Sequence, residues 1–131
     1  MILTNKKRIE DFIKKGWWGE DTLHSLFQEA LSACGDQEAL VDPENRSVIT
    51  GDDPKRLSFK EINGLVESYA TTFYEQGLRK DDIAIIQLPN VVELPIVYLA
   101  LSKLGIICSP IPMQYGAYEI TNIIHETNPK A

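Results

Sequence analysis

The side chains of this 131-residue sequence that could do chemistry are few and scattered. His24 lies near the start of one helical pattern and His125 near the end of another, where a protonated imidazole suits the helix dipole. Neither stands in a Ser-His-Asp or Cys-His set. Cys34 and Cys108 form no C-x-x-C pair and have no zinc spacing. Both sit in apolar stretches and read as buried free thiols, which places the chain in a reducing compartment, the cytoplasm. Asp81-Asp82 supplies too few oxygens for a hard cation and reads as a solvated turn. Trp17-Trp18 could stack on a base or lie at a membrane interface, but reads as packing at a subdomain seam. No G-x-x-x-x-G-K-[ST] or G-x-G-x-x-G is present, so nothing here cradles a phosphate. The remaining candidates are Asn90, Ser109, Gln114 and Tyr115, in two loops bounded by prolines.

The elements that must position them follow from periodicity. Residues 8–15 predict a short basic helix with Ile9, Phe12 and Ile13 on one side, ended by Gly16-Trp17-Trp18-Gly19. Asp21 or Thr22 caps a helix carrying Leu23, Leu26, Phe27, Ala30, Leu31 and Cys34, and Gly35 stops it. Glu38–Asp42 and Arg46–Thr50 read as two short strands joined by the turn Pro43-Glu44-Asn45. Ser58 and Glu61 have capping-box spacing ahead of the stripe Phe59, Ile62, Val66, Tyr69, Ala70 and Phe73. Gly77 suits the left-handed residue after that helix, and Leu78 the hydrophobic contact that follows.

Ile83–Leu88 is apolar without alternation, as in a strand covered on both faces. Val91–Leu104 predicts a helix with Asn90 as its cap, kinked or started late by Pro95. Ile106–Ser109 is a second strand of the buried kind, and Tyr118–Thr127 a last helix. The fold class is therefore α/β: a parallel βαβα unit, a small β-hairpin and flanking helices, forming an incomplete N-terminal subdomain. Residues 1–20 read as a basic extension and 21–131 as the α/β unit. A further strand is expected where the sequence stops, so the chain looks cut. Uncovered apolar surface and an open sheet edge would then favour self-association.

Ligands of open parallel sheets bind outside the carboxyl ends of the strands, which selects Leu88-Pro89-Asn90 and Ser109–Gly116. Capping alone accounts for Asn90.

Composition narrows the function. Apolar residues make up 44% and charged residues 24%, an ordinary globular mix. A compact monomer of this mass would keep roughly 7,000 Å² accessible out of about 21,000 Å². The net charge is -6, with five basic side chains in residues 1–15 (Lys6, Lys7, Arg8, Lys14, Lys15). So acidic a chain lacks the footprint of a nucleic-acid binder. Met1-Ile2-Leu3 is too short for a secretory h-region. The longest apolar run, Leu94–Leu101, is far too short for an integral membrane segment.

The order of the segments resembles the start of the AMP-forming adenylate ligases: acyl- and aryl-CoA synthetases, aryl-acid adenylating enzymes, luciferases and peptide-synthetase adenylation domains. Leu57-Ser58-Phe59-Lys60-Glu61-Ile62 is similar to their first core motif. Gly77-Leu78-Arg79-Lys80-Asp81-Asp82-Ile83-Ala84 is similar to G-[LV]-x-x-G-D-x-V, with Asp81 where Gly is usual. Leu88-Pro89-Asn90, Glu93, Ala100-Leu101 and Lys103-Leu104-Gly105 recur there, and Leu101–Pro112 is similar to the second core motif. The Gly16-Trp17-Trp18 opening with Thr22-Leu23 looks most like the CoA-ligase and aryl-acid branch. The resemblance covers residues 16–131.

The resemblance implies a parent enzyme that converts a carboxylate and ATP to an acyl-adenylate, with Mg²⁺ at the phosphates, and then forms a thioester with CoA. Many relatives carry Arg where Gly116 stands, and Gln114 stands about where a basic residue of some CoA-forming relatives lies near CoA. Gln114, Tyr115 and Gly116 are the loop candidates for ligand contact that this comparison leaves. The family's Ser/Thr/Gly-rich phosphate loop, its later ATP-holding motifs and its catalytic lysine have no counterpart in residues 1–131, and Lys130 has no such motif around it. The implied role is scaffold, with no catalytic residue or metal ligand and no cofactor bound by these residues alone. The partner would be the remainder of the ligase. The alternative is a free-standing α/β interaction module without catalysis.

Overall fold

A computed structural model describes residues 4–131. The Met1-Ile2-Leu3 start, read above as too short for a leader, lies outside the described residues. The elements run α1 (Lys6–Lys14), α2 (Leu23–Cys34), β1 (Glu38–Val41), α3 (Arg46–Thr50), β2 (Arg56–Ser58), α4 (Phe59–Glu75), β3 (Ile83–Ile86), α5 (Glu93–Leu104), β4 (Ile107–Pro110) and α6 (Ala117–Thr127).

Local rules set several boundaries. Ser58 accepts the Glu61 N–H while the Glu61 carboxylate accepts the Ser58 N–H, so α4 opens on the capping box that its sequence predicts. At its end Gly77 has φ of 92°. The Leu78 N–H reaches the Phe73 carbonyl and the Gly77 N–H the Tyr74 carbonyl, each at 3.1 Å, which closes the helix with a Schellman pair. A Cβ on Gly77 would meet nothing within 4 Å, so only the backbone opposes it. Gly77→Ala is expected to destabilise by about 1 kcal/mol, read as a lower urea midpoint at unchanged slope. Asp81 takes φ of 70°, the left-handed conformation that the family's usual glycine adopts freely.

β3 and β4 pair in parallel, with Ile83 opposite Ile107 and Ile86 opposite Pro110, joined by α5. That is the expected βαβ unit. Along the other edge of β3, the Lys130 N–H bonds the Ile83 carbonyl and the Ile85 N–H bonds the Ala131 carbonyl, each at 2.8 Å. The tail thus starts a third row on β3.

The core has two parts. Ile62, Val66 and Ala70 of α4 pack against Ile96, Leu99 and Ala100 of α5, with Phe27 of α2. Leu78, Ala84, Val97, Leu101 and Ile106 form the second cluster, between helices and sheet.

Five expectations are corrected. Arg46–Thr50 is a helix, not a strand, and β1 pairs antiparallel with β2 instead. Val48 and Ile49 favour a strand by type, but both are exposed and have no packing with which to enforce it. Arg46 decides the segment: its guanidinium is drawn inward to Asp42 and Glu93.

Second, α5 starts at Glu93 and Asn90 does not cap it. The Val92 N–H is taken by the carboxylate of Asp42, fifty residues earlier, at 2.8 Å. The late start leaves Pro95 in the first turn, where its missing N–H costs nothing.

Third, the strands are not covered on both faces. Ala84 is buried, but Ile83 and Ile85 are half-covered and Ile107 is exposed. Fourth, both cysteines are half-buried rather than buried. Fifth, Trp17 and Trp18 sit in no seam among the described residues. They pack against Phe12, Trp17 tilted at 5.5 Å and Trp18 edge-on at 5.2 Å between ring centroids, and stay exposed.

The accessible surface is 9000 Å², against about 7,000 Å² for a compact monomer of this mass. Large apolar side chains left open, Trp17, Val48 and Tyr118 among them, are part of that surface.

Candidate functional site

At the carboxyl ends of β3 and β4 the ladder closes with the Ile111 N–H on the Ile86 carbonyl, at 2.9 Å. Pro112–Tyr115 then forms a β-turn, the Tyr115 N–H returning to the Pro112 carbonyl at 3.1 Å. Met113 and Gln114 are the tip and are exposed, and Tyr115 is 40% exposed. Gly116 is the N-cap of α6. Its N–H is taken by the Glu119 carboxylate at 2.9 Å, so a negative charge already sits at that helix start. The fold thus brings Gln114, Tyr115 and Gly116 together on one loop. Ser109 lies half-buried within β4 opposite Ile85, a strand residue rather than a loop residue.

Asn90 stands in the neighbouring loop, exposed, beside a cleft of about 280 Å³ that Asp42, Val92 and Pro95 also line. Under this loop lies a charged cluster. Arg46 Nη1 donates to Asp42 at 2.8 Å and to Glu93 at 2.8 Å, and Nη2 donates to Glu93 at 2.9 Å. Lys55 Nζ reaches Glu93 at 2.7 Å, and the Lys55 N–H bonds Asp42 at 2.9 Å. Arg46 and Asp42 are both buried. The Arg46 guanidinium holds the Glu93 carboxyl down at about 2, against burial and with help from Lys55. Burial pushes Asp42 upward, but the Lys55 and Val92 N–H groups and Arg46 outweigh it, so its carboxyl also lies below the usual range. This cluster pins the α5 start and the loop before it.

The other candidates stay apart. His24 is half-buried in the first turn of α2, its Nδ1 without a partner, and His125 is exposed near the end of α6. Asp82 accepts the Arg79 N–H at 2.7 Å, as a turn residue does. Among the described residues no group of three or more His, Cys, Asp or Glu could hold a metal ion. No helix among them is long and apolar enough to cross a membrane.

Spacing singled out neither Gln87 nor Arg46. Gln87 Nε2 donates to the Pro112 carbonyl at 3.0 Å and to the Tyr115 carbonyl at 2.9 Å. Only its place one residue past a strand, ahead of Leu88-Pro89-Asn90, could have flagged it.

A family model described as AMP-binding enzyme matches residues 27–131. The chain belongs to this family. It is 28% identical over 129 residues to tyrocidine synthase 1 of Brevibacillus parabrevis, spanning 98% of this chain and 11% of that protein. It is 32% identical over 95 residues to an acetyl-coenzyme A synthetase of Vibrio cholerae, spanning 68% of this chain and 14% of that one. The apo structure of MbtA from Mycobacterium smegmatis superposes with a TM-score of 0.81 at 20% identity, over all of this chain and 23% of that one. The chain therefore spans between about a tenth and a quarter of these relatives. It is an N-terminal part of an AMP-forming adenylate ligase, and the mixed α/β arrangement is that of the N-terminal subdomains of adenylating enzymes.

Proposed function

We propose that the chain is the leading scaffold of a ligase that activates a carboxylic acid with ATP and passes it to CoA, and that residues 1–131 alone do not catalyse. In the parent reaction the carboxylate attacks the α-phosphorus and pyrophosphate leaves. The CoA thiolate then attacks the acyl carbonyl and AMP leaves. The family match over residues 27–131 carries this reading. What this chain supplies is position: the Asp42–Arg46–Glu93 cluster holds the α5 start, and the Pro112–Tyr115 turn stands past the carboxyl ends of β3 and β4, the side on which open parallel sheets generally bind ligands.

Adenylation needs positive charge and backbone donors arranged around the phosphates. Residues 1–15 carry five of the thirteen basic side chains, and the net charge of -6 repels ATP rather than steering it in. Gln114, Tyr115 and Gly116 remain the loop residues proposed to approach a ligand in the whole enzyme. The proposed partner is the remainder of the ligase, packed on exposed apolar side chains such as Leu23, Leu26 and Met113. Left uncovered, the same surface would favour self-association. The proposed compartment is the reducing cytoplasm, which suits two free, half-buried thiols.

The test is ATP–pyrophosphate exchange over a panel of aryl, alicyclic and fatty acids with Mg²⁺, with and without CoA. Residues 1–131 alone are expected to give none. A ligase that carries residues 1–131 as its leading part is expected to give acid-dependent exchange. Exchange by the isolated chain that survives repurification would overturn the scaffold reading.

A further inference from the structure

We infer that Gln87 is a positioning residue that clamps both ends of the Pro112–Tyr115 turn, so that Met113 and Gln114 are held in one shape at the carboxyl ends of the strands. Ile86 and Leu88, on either side of Gln87, pack with the second apolar cluster. Alternation along the extended chain therefore sends the Gln87 side chain to the opposite face. There its amide nitrogen lies 3.0 Å from the Pro112 oxygen and 2.9 Å from the Tyr115 oxygen. Both partners are carbonyl oxygens, which accept only. The group that faces them is therefore the NH₂, and both of its hydrogens are used.

The two carbonyls belong to the first and last residues of the turn, which the Tyr115 N–H closes on Pro112. The strand ladder reaches Ile86 and Ile111, and the Gln87 side chain carries the connection one step past it. The turn is thus ordered before any ligand arrives, and binding need not order it. The clamp requires a donor at position 87. An ionised carboxyl of the same shape would aim two negative oxygens at two carbonyls.

The first readout is the amide-exchange protection of Tyr115 in the 131-residue chain. Gln87→Glu is expected to lower it about tenfold or more at pH 7, with Ile62 and Val66 in α4 unchanged. Below about pH 4 the introduced carboxyl gains a proton, can donate one of the two bonds, and protection should partly return. Gln87→Met, which has no donor, is expected to lose protection at every pH, while Gln87→Lys should keep it. If Gln87→Glu loses protection in α4 as well, it has not folded, and the Met and Lys variants decide. Equal Tyr115 protection in the wild type and Gln87→Met overturns the clamp.

A second arm rests on the ligase reading. In the ligase that carries this chain, Gln87→Met is expected to raise one substrate's KM about tenfold, with kcat within about twofold. The substrate whose KM moves is the one that meets the turn. Unchanged KM values for acid, ATP and CoA overturn the positioning role. A wild-type ligase without acid-dependent exchange sinks the ligase reading instead, and the Tyr115 measurement still decides the clamp.

Discussion

Replacing Asp42 with alanine is expected to destabilise the chain by about 3–5 kcal/mol, a fall of roughly 10–20 °C in Tm for a domain of this size. Three donors lose their acceptor together: the Val92 N–H, the Lys55 N–H and Arg46 Nη1, at 2.8, 2.9 and 2.8 Å. Asp42 is 5% exposed, so water does not replace them at once. The loss also frees the Val92 N–H at the start of α5 and breaks the link between the end of β1 and the helix that carries a third of the core. Asp42→Asn keeps one acceptor oxygen and should lose less. The exposed Glu38–Arg56 pair is the control, and Glu38→Ala should cost under about 1 kcal/mol. Combining Asp42→Ala with Arg46→Met should destabilise less than the two single changes added together, because a buried cation with a missing partner is removed along with it. Urea unfolding of Asp42→Ala, Asp42→Asn, Glu38→Ala, Arg46→Met and the double variant measures this. An Asp42→Ala midpoint equal to that of Glu38→Ala would mean that the cluster is not buried in solution.

Stability is expected to fall steeply on acidification between about pH 5 and pH 2, and Glu93→Gln is expected to flatten that fall. Glu93 is held at about 2 in the folded chain against an ordinary value of 4.5. The unfolded state therefore binds more protons throughout that window, so stability rises with pH across it. The contribution is fully present above the unfolded value and disappears as pH drops through the folded one. Its size is about 3 kcal/mol before solvent screening and on the order of 1–2 kcal/mol after it, since Lys55 and one side of Glu93 are wet. Asp42, also held low, adds in the same direction. Urea midpoints at pH 7, 4 and 3 for the wild type and Glu93→Gln provide the comparison. Parallel acid limbs in the two proteins would place the acid sensitivity elsewhere.

Short-range rules made much of this protein legible as sequence. The α4 helix opens on a Ser58–Glu61 box and closes on Gly77-Leu78 because both devices act within a few residues, and such devices read the same in any context. The βαβ unit was legible because two apolar runs flanking a helical pattern have few other solutions, and the family likeness rested on the order of those same segments. The tertiary structure decided what depends on partners distant in sequence. Arg46–Thr50 has strand-forming residues, yet it is helical because Arg46 is held by Asp42 and by Glu93, forty-seven positions away. Asn90 has the chemistry of a cap, but Asp42 takes the Val92 N–H across fifty positions and leaves Asn90 in solvent. The Gln87 clamp is likewise a contact across twenty-five to twenty-eight positions that no periodicity encodes. Propensity and capping energies are about 1 kcal/mol or less per residue. A buried ion cluster with three satisfied acceptor contacts outweighs them, and which residues come together in one is settled only when the chain has packed.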